Sequence, residues 1–494
     1  MNVPSDTPVV VGVAQVVNRP GDGFAEQSAT ALMLEACRRA LDETGAAHRL
    51  GAIVDEVLVP HGTWPESDPG RAIADAVGAA DARSIRSELG VAQHALISRA
   101  ATGVQSGRIR AALVVGGENR WSEVAAAKRG APSPVPARAA AADEPDEVLA
   151  PAGWPIAQVE IDRNLTTAAH QYAILESAYR HHLGISVERR LQQLGAQWER
   201  MAEVATRSET AWNRAGMTAQ EIVEPSPSNR LIAAPYRKHL VTQWNVDQAA
   251  ALVLTSVGVA RELGVPEDRW VFPLVVAISD DLTPVCERAE LHRFPGAAIT
   301  ARAACGSAGV SPDDLSAVDL YSCFPIAVEV QAQEMGLGLD RPLTITGGMT
   351  FSGGPFNNYS LQGAAAMVEH LRRSGPGDVG LTTAVSGFLT KSAVTLWSTA
   401  ARSRFEAIDV SVAVAGVTER RQVEADLTGA AVIVGATVIP SSGSQLEVIA
   451  VVESSELVRT VVISDDQELA RRALVEDPVG WPVQVDAPGR FRPA

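Results

Sequence analysis

The sequence is poor in the residues that define several common protein classes. It has only four cysteines, Cys37, Cys286, Cys305 and Cys323, which lie far apart and form no Cys-x-x-Cys pair. This spacing argues against a disulfide framework and against a zinc site. Aromatic residues make up 5% of the chain and charged residues 20%, whereas hydrophobic residues reach 46%. That composition indicates a globular protein rather than a disordered one.

Basic residues are in the minority, and the formal net charge is −16. Such a charge opposes nucleic-acid binding, which requires a basic field. Residues 120–238 are an exception, because they hold 14 Lys and Arg residues against 14 Asp and Glu residues. The pairs Arg189-Arg190 and Arg237-Lys238 in this neutral window are candidates to face a nucleotide. The alternative is that they are solvated faces of helices.

Long hydrophobic runs and targeting signals are also missing. Residues 9–17 are too short and too interrupted to cross a bilayer. The first eight residues contain Asp6 and no basic stretch of the kind that begins a secretory signal. The ending Arg-Phe-Arg-Pro-Ala does not match a peroxisomal address. We therefore expect a cytoplasmic protein in a reducing compartment, with no membrane span.

The sequence does contain an alternation of buried strands and helices. Strand patterns at residues 9–16 and 111–117 alternate with helical patterns at 30–43 and 91–105. This alternation predicts a mostly parallel sheet that is covered on both faces. The same order of elements returns in residues 271–399, which predicts an α/β protein with two stacked α/β/α halves.

Two stretches carry the most specific pattern. Residues 318–325, Val-Asp-Leu-Tyr-Ser-Cys-Phe-Pro, form an apolar strand that ends in a small polar cluster and leads into a helix. About twenty residues later, the run Thr-Gly-Gly-Met-Thr-Phe-Ser-Gly-Gly-Pro at 346–355 brings glycine backbone close to that cluster. A strand end that faces a glycine loop is where open α/β proteins commonly bind a ligand.

These stretches resemble the thiolase superfamily, and especially the branch of sterol-carrier-protein thiolases and thiolase-like proteins. Family members have Asn-Glu-Ala-Phe or His-Asp-Cys-Phe and then Gly-His-Pro, where this chain has Tyr-Ser-Cys-Phe at 321–324 and Gly-Gly-Pro at 353–355. Residues 245–254 likewise resemble the family's Asn-Asp-Gly-Ala-Ala-Ala run, with Gln248 in the glycine position. The resemblance covers about residues 1–400 and implies the five-layered thiolase fold.

The resemblance also divides the chain into domains. It implies an N-terminal thiolase half at 1–119 and 231–264, a loop domain over the acyl-CoA channel at 120–230, and a C-terminal half at 265–404. Residues 405–494 are an addition, for which we predict a small β-barrel of OB type. Its strand patterns recur at roughly ten-residue spacing, at 408–414, 421–427, 430–439, 445–452 and 457–464.

The residues that perform thiolase chemistry are absent. That chemistry needs a nucleophilic cysteine, a histidine base, a second cysteine that moves a proton, and donors for an oxyanion. The resemblance carries these four roles to Gly90, Gly354, Ala384 and Tyr321, in that order. Since no thiol or imidazole remains at these degenerate positions, we expect no thiolase activity. No metal or other cofactor is expected.

The resemblance also implies contacts with a ligand. In the family, the loop before the Asn-Asp-Gly-Ala run touches the pantetheine, and the matching residue here is Gln243. Further substrate contacts are expected from Gly353 and Gly354, and from Ser386 and Gly387.

Tyr321 is the candidate for a replacement chemistry. Thiolase-like aldolases that cleave β-hydroxyacyl-CoA side chains of sterols also lack the cysteines and use tyrosines near this position. A retro-aldol reaction needs a base for the β-hydroxyl and a donor for the enolate oxygen, and Tyr359 offers a second phenol. The alternative for Tyr321 is a phenol that only finds a hydrogen-bond partner. Cys323 and His94 are expected to be packing residues.

Small residues at the degenerate positions leave two structures open: an enlarged pocket, or a vestigial pocket that has collapsed. Three functions also stay open. The first is a protein that binds coenzyme A, an acyl-CoA or a lipid without thiolysis. The second is a retro-aldolase that uses Tyr321. The third is a scaffold that binds a protein partner through the barrel.

The assembly is predicted from one strand. Thiolases dimerise through an edge strand just before the nucleophile, which corresponds here to residues 84–89. Arg86 and Glu88 alternate in it with short polar residues, a pattern by which edge strands avoid pairing. We therefore expect a monomer or a weak homodimer.

Overall fold

The structure is a computed structural model that describes residues 3–132 and 144–494. The first part of the chain forms a six-stranded sheet with helices on both faces, together with a long insertion that begins after the fourth strand. Its elements in chain order are β1 (Pro8–Val17), α1 (Ala29–Asp42), α2 (Ala47–Gly51), β2 (Val54–Pro60), α3 (Pro69–Val77), β3 (Arg83–Ser87), α4 (His94–Gln105), β4 (Ala111–Asn119), α5 (Arg120–Lys128), β5 (Glu147–Leu149), α6 (Gln158–Asp162), α7 (Ala168–His182), α8 (Val187–Arg207), α9 (Ala219–Val223), β6 (Leu231–Ala233), β7 (Tyr236–Arg237), β8 (Asp247–Ser256) and α10 (Val257–Glu262).

The first sheet is mostly parallel, as the alternation predicts. Its strands run in the order β1-β8-β4-β2-β3-β5. Strand β8 pairs antiparallel with β1 and β4, whereas β2, β3, β4 and β5 are parallel neighbours. All nine residues of β4 are buried, because a strand that is covered on both faces is apolar along its length.

The second half repeats this arrangement with a five-stranded sheet in the order β10-β11-β12-β9-β13. Its elements are β9 (Phe272–Ser279), α11 (Pro295–Ala308), β10 (Leu315–Asp319), α12 (Pro325–Glu334), α13 (Gly348–Phe351), α14 (Tyr359–Leu371), β11 (Val379–Ser386), β12 (Lys391–Ser398), β13 (Glu406–Asp409) and α15 (Ser411–Ala415).

The two halves stack into five layers. Helices α4 and α14 lie between the sheets, since each packs against strands of both and their apolar residues share one core. Helices α1 and α3 cover the outer face of the first sheet, and α11 covers that of the second. The prediction of two stacked α/β/α halves is confirmed. The carboxyl end of β10 therefore faces the loop around α13, which is where the glycine run lies.

One part of the insertion changes the edge of the first sheet. Strand β5 pairs in parallel with β3, with Ile85 opposite Glu147 and Ser87 opposite Leu149. The chain then continues as an extended strap (residues 146–155) toward the second half. Ion pairs hold it, because Arg99 donates to Glu147 at 2.6 Å. The strand predicted to be a free edge is thus covered by the chain itself.

The tail closes into a five-stranded barrel, which confirms the predicted OB-like domain. Its elements are β14 (Gly429–Pro440), β15 (Leu446–Glu453), β16 (Arg459–Ser464), α16 (Gln467–Ala473), β17 (Pro482–Ala487) and β18 (Arg490–Pro493). The order β14-β15-β16-β18-β17, with a helix between the third and fourth strands, is that of an OB-type barrel. Apolar side chains such as those of Val448, Ala450 and Val452 on β15 fill the interior.

Two of the predicted barrel strands are wrong. The pattern at 408–414 is β13 followed by α15, and β13 pairs in parallel with β9 of the second sheet. The pattern at 421–427 forms no strand, and the barrel takes β17 and β18 from later in the chain. Alternation shows which face of a strand is apolar but not which sheet the strand joins.

Candidate functional site

Side chains from other segments fill the two glycine positions of the loop at 353–355. A Cβ on Gly354 would overlap Cγ2 of Thr242 and lie 3.0 Å from Cε of Met349. A Cβ on Gly353, whose φ is +97°, would overlap the side chain of Gln248. Gln248 is held there because its Nε2 donates to the carbonyl of Ser352 at 2.8 Å. A histidine therefore has no room at Gly354, the position to which the resemblance carries the family's base.

The two cysteine positions are closed as well. Gly90 has a φ of +102°, and a Cβ there would lie 3.1 Å from Cβ of Pro151 in the strap. Ala384 is fully buried and packs with Ala92 and Ala393. At Gly354 and Ala384 the surrounding space is filled by neighbouring side chains, and at Gly90 the strap lies close by.

Tyr321 stands at the end of β10 with an unpaired hydroxyl. Its backbone N–H donates to Oγ1 of Thr383 at 2.7 Å, but within the described residues its phenol oxygen forms no hydrogen bond. Its ring meets that of Tyr359 edge-on at 5.9 Å between centroids. Burial raises the pKa of Tyr321, and the nearby Cys323 raises it further. The phenol is thus a proton donor rather than a ready base at neutral pH.

Tyr359 has a different role from the one the sequence suggested. Its side chain is buried, and its hydroxyl lies 2.8 Å from Oγ1 of Thr346 and donates to Asp319 at 3.4 Å. Asp319 also accepts from the backbone N–H of Ile345 at 3.0 Å and from Oγ1 of Thr344 at 2.8 Å. Tyr359 and Asp319 therefore fix the start of the glycine loop.

A third phenol belongs to Tyr172 in the insertion, and it was not identified from the sequence. Its ring stacks on Phe324 at 4.5 Å between centroids, and it neighbours Cys323. Burial raises the pKa of the Cys323 thiol to about 12. Cys323 is thus the buried packing residue that was expected. No motif marks Tyr172, because it belongs to α7, in a separate part of the chain.

No thiol is paired with an imidazole in the part of the chain that the structure describes. All four cysteines are buried, and none of them forms a disulfide bond. His94 is also buried, its Nδ1 lies 3.0 Å from Oγ1 of Thr395, and burial lowers its pKa to about 3. No cysteine among the described residues therefore has an imidazole beside it to favour the thiolate.

Ser386 and Gly387 belong to a tight hairpin, residues 386–390, that joins β11 to β12. Three consecutive residues, Gly387, Phe388 and Leu389, have φ of 60°, 54° and 65°. Non-glycine residues in this region cost about 1–3 kcal/mol each, so they persist only where the surroundings hold them. Here the buried guanidinium of Arg288 donates to the carbonyls of Gly387 and Leu389, at 3.1 and 3.4 Å.

A buried lysine, which was also not identified from the sequence, lies beside Gly90. The Lys391 side chain is 1% exposed, and its Nζ donates to the carbonyl of Gly90 at 3.1 Å and lies 3.4 Å from Oδ1 of Asp280. Its contacts tie the turn at Gly90 to the start of β12.

An open groove of about 540 Å³ lies between the insertion and the second half. Gln243 lines it, and Lys238 donates to Oε1 of Gln243 at 2.7 Å. Burial lowers the pKa of Lys238, and the nearby Arg230 lowers it further. The lining combines basic, amide, aromatic and aliphatic side chains, namely Arg214, Lys238, His239, Asn213, Gln243, Trp212, Met217, Val241 and Phe351.

The two basic pairs, Arg189-Arg190 and Arg237-Lys238, lie in different environments. Lys238 lines the groove, as just described. Arg190 does not face a nucleotide, because it is buried between Glu176 and Glu329 and donates to the latter at 2.8 Å. A charge this deep is paired with carboxylates, since an unpaired one would be too costly. Arg189 is exposed on α8.

The described residues contain neither a metal-binding cluster nor a membrane-spanning helix. No group of three or more His, Cys, Asp or Glu side chains there is placed to hold a metal ion. None of the helices in this part of the chain is long and apolar enough to span a membrane.

No protein-family model and no curated protein matches the chain, but solved structures do. A monomeric SCP2-thiolase like protein type 1 from Mycobacterium smegmatis matches over 100% of both chains, with a TM-score of 0.85 and 28% identity. The Ltp2-ChsH2(DUF35) aldolase matches over 80% of this chain and 98% of its own, with a TM-score of 0.59 and 19% identity. The dimeric peroxisomal thiolase of Saccharomyces cerevisiae matches over 80% and 98%, with a TM-score of 0.58 and 12% identity. The last two matches show the fold alone.

Proposed function

Because this chain belongs to the thiolase superfamily and, within it, to the SCP2-thiolase-like proteins with an added C-terminal domain, we propose that it binds coenzyme A or an acyl-CoA without thiolysis. The observation that carries this proposal is the contrast between an open groove and a closed set of catalytic positions. The groove offers Lys238 and Arg214 for phosphate groups and Gln243 for the amides of a pantetheine arm.

We expect no thiolysis because other side chains occupy the space at the degenerate positions. Thr242 occupies the place of the base, Pro151 of the strap covers the nucleophile position, and Ala384 is packed into the core. The groove lining contains His239 but no cysteine, so a ligand held there meets no thiolate. Incubation with acetoacetyl-CoA and coenzyme A should give no turnover above the uncatalysed rate, and measurable cleavage would contradict the proposal.

Binding is tested by titration calorimetry with coenzyme A and a series of acyl-CoAs. Lys238→Met should weaken the binding of coenzyme A by roughly tenfold, because a charge-assisted contact is worth about 1.5–3 kcal/mol. Lys128→Met is the matched control, since Lys128 lies on α5 and does not line the groove. A wild-type protein that binds none of these ligands at millimolar concentration would refute the proposal.

A second candidate is a retro-aldolase that acts on a β-hydroxyacyl-CoA through Tyr321. The unpaired hydroxyl of Tyr321 favours it. The fold shared with the aldolase that contains a DUF35 component also favours it. Tyr321→Phe in a retro-aldol assay decides this candidate: activity that survives the substitution, or no activity in the wild type, excludes the role.

We also propose a monomeric assembly. The strap pairs with residues 85–87 of β3, so a second copy cannot pair directly with that part of the strand. One similar structure is described as monomeric. A cytoplasmic location, a lipid ligand and a protein partner for the barrel remain predictions from the sequence.

A further inference from the structure

The barrel reaches the hairpin at 386–390 through two arginines. Within the described residues, the backbone N–H groups of Gly387, Phe388 and Leu389 donate no hydrogen bond, while the carbonyls of Gly387 and Leu389 are taken by Arg288. The carbonyls of the hairpin face Arg288, and its free N–H groups therefore point to the opposite side. Such consecutive amides can bind an oxygen of a ligand.

Arg288 holds the hairpin to a neighbouring segment. Its guanidinium is buried and donates to three backbone carbonyls, including that of Thr283 at 3.0 Å, but to no carboxylate among the described residues. Burial lowers its pKa to about 10. Three fixed donors that point at carbonyls on two segments set the distance between those segments.

Arg459 of β16 holds Arg288 in turn. Its guanidinium donates to the backbone carbonyl of Arg288 and, at 2.9 Å, to that of Ala289. Its Nε donates to Oε2 of Glu453 on β15 at 2.7 Å, and its side chain is 3% exposed. A continuous set of hydrogen bonds thus runs from the barrel sheet to the hairpin.

We propose that Arg459 and Arg288 are positioning residues, and that through them the C-terminal barrel fixes the hairpin that carries Ser386 and Gly387, two of the expected substrate contacts. The barrel fixes the segment that carries Arg288, and Arg288 fixes the left-handed turn that presents the free N–H groups of 387–389. The consequence for ligand binding rests on the proposed function, whereas the coupling itself does not.

The coupling is tested by hydrogen exchange of the full-length protein. Arg459→Met should speed exchange of the amides of Thr390 and Lys391, at the base of the hairpin, at least tenfold. Arg421→Met is the matched control, because the Arg421 side chain also donates to Glu453, at 3.3 Å, but its other partner is the exposed Glu419. Coenzyme A affinity of the same variants should fall several-fold for Arg459→Met and stay unchanged for Arg421→Met.

Exchange at 390–391 that is equal in Arg459→Met and the wild type would overturn the proposal, as would equal acceleration in the Arg421→Met control. If Arg459→Met does not fold, Arg459→Lys decides by the same readout, since one ammonium cannot reproduce the paired contacts to two carbonyls. A wild-type protein that fails to bind coenzyme A would refute the proposed function, while the exchange result would still decide the coupling.

Discussion

The packed space at Gly354 and the open groove receive side chains from neighbouring residues of one loop, yet they have opposite properties. Thr242 fills the space beside Gly354, whereas the next residue, Gln243, lines a groove of about 540 Å³. In the closed region, the side chains of Thr242, Met349 and Gln248 pack closely against the glycines at 353 and 354. The groove carries Lys238, Arg214 and His239.

Packing at the degenerate positions and the openness of the groove are therefore separate features of this fold. Neighbouring side chains fill the space at the degenerate positions, because an empty cavity costs stability. A polar groove exposed to water has no such cost, so it persists whether or not a reaction follows. Each side of this contrast is open to experiment.

The strongest test is to force the family's base back into the closed region. Gly354→His should lower the free energy of unfolding by about 3 kcal/mol, because its Cβ overlaps Thr242 Cγ2 and overpacking is costly. Urea denaturation measures the change. Gly306→His is the control, since no atom lies within 4 Å of a Cβ at Gly306. Equal stability of the two variants would mean that the pocket is not closed.

The pH dependence of stability tests the burial of a carboxyl at the end of β4. Burial raises the pKa of Glu118, at the end of β4, from about 4.5 to about 7. The folded state favours the protonated carboxyl. Its contribution to the free energy of unfolding is therefore fully present below pH 4.5 and is lost as the pH rises through 7. Glu118→Gln should remove up to about 3 kcal/mol of this dependence.

Stability curves at several pH values measure this effect. In Glu262→Gln, which changes an exposed carboxylate, the slope between pH 4.5 and 7 should match that of the wild type. A Glu118→Gln slope that also matches the wild type would show that water reaches this carboxyl.

The strap provides a test of intermediate size. Leu149 has its backbone polar groups toward β3, because its carbonyl accepts from the N–H of Glu88 at 2.8 Å. Leu149→Pro removes the N–H on that side and should lower the free energy of unfolding by about 2 kcal/mol, while exposing the edge of β3. Light scattering should then show self-association at micromolar concentration. Leu149→Val keeps a residue suited to strands and should remain monomeric. A monomeric Leu149→Pro variant of wild-type stability would argue against this role of the strap.

The smallest expected effect compares two phenols. Tyr321→Phe should change the free energy of unfolding by less than about 0.5 kcal/mol, because its hydroxyl has no partner among the described residues. Tyr359→Phe should cost about 1–2 kcal/mol, since it removes contacts with Thr346 and Asp319. Thermal denaturation of both variants decides the point. Equal losses would show that the Tyr321 hydroxyl is bonded.

The layers of the fold could be predicted from the sequence because continuous apolar runs such as β4 signal strands that are buried on both faces. The glycine loop and the polar end of β10 could be predicted for a similar reason, since short motifs carry them. The contents of the pocket could not. Thr242, Pro151 and Gln248 close it from separate segments, and no local pattern tells which distant side chain fills a space.

Two features were beyond sequence reasoning for a related reason. The cover on β3 is a three-residue strand, too short to show periodicity. Arg288 and Arg459 act through backbone carbonyls, which every residue has, so their partners leave no mark in the sequence. The assignment of 408–414 to the barrel failed in the same way, because pairing partners are long-range.

The barrel closes through β18, which lies beside β16 in parallel and beside β17 in antiparallel orientation. This seam is made by residues 490–493, so the ribosome must deliver them before the barrel can shut. The two stacked halves emerge first and, at ~5–20 residues per second, wait on the order of ten seconds for the remaining strands. During that interval the nascent chain lacks the closed barrel, so the contacts of Arg459 with Arg288 and Ala289 form only after the two halves have emerged.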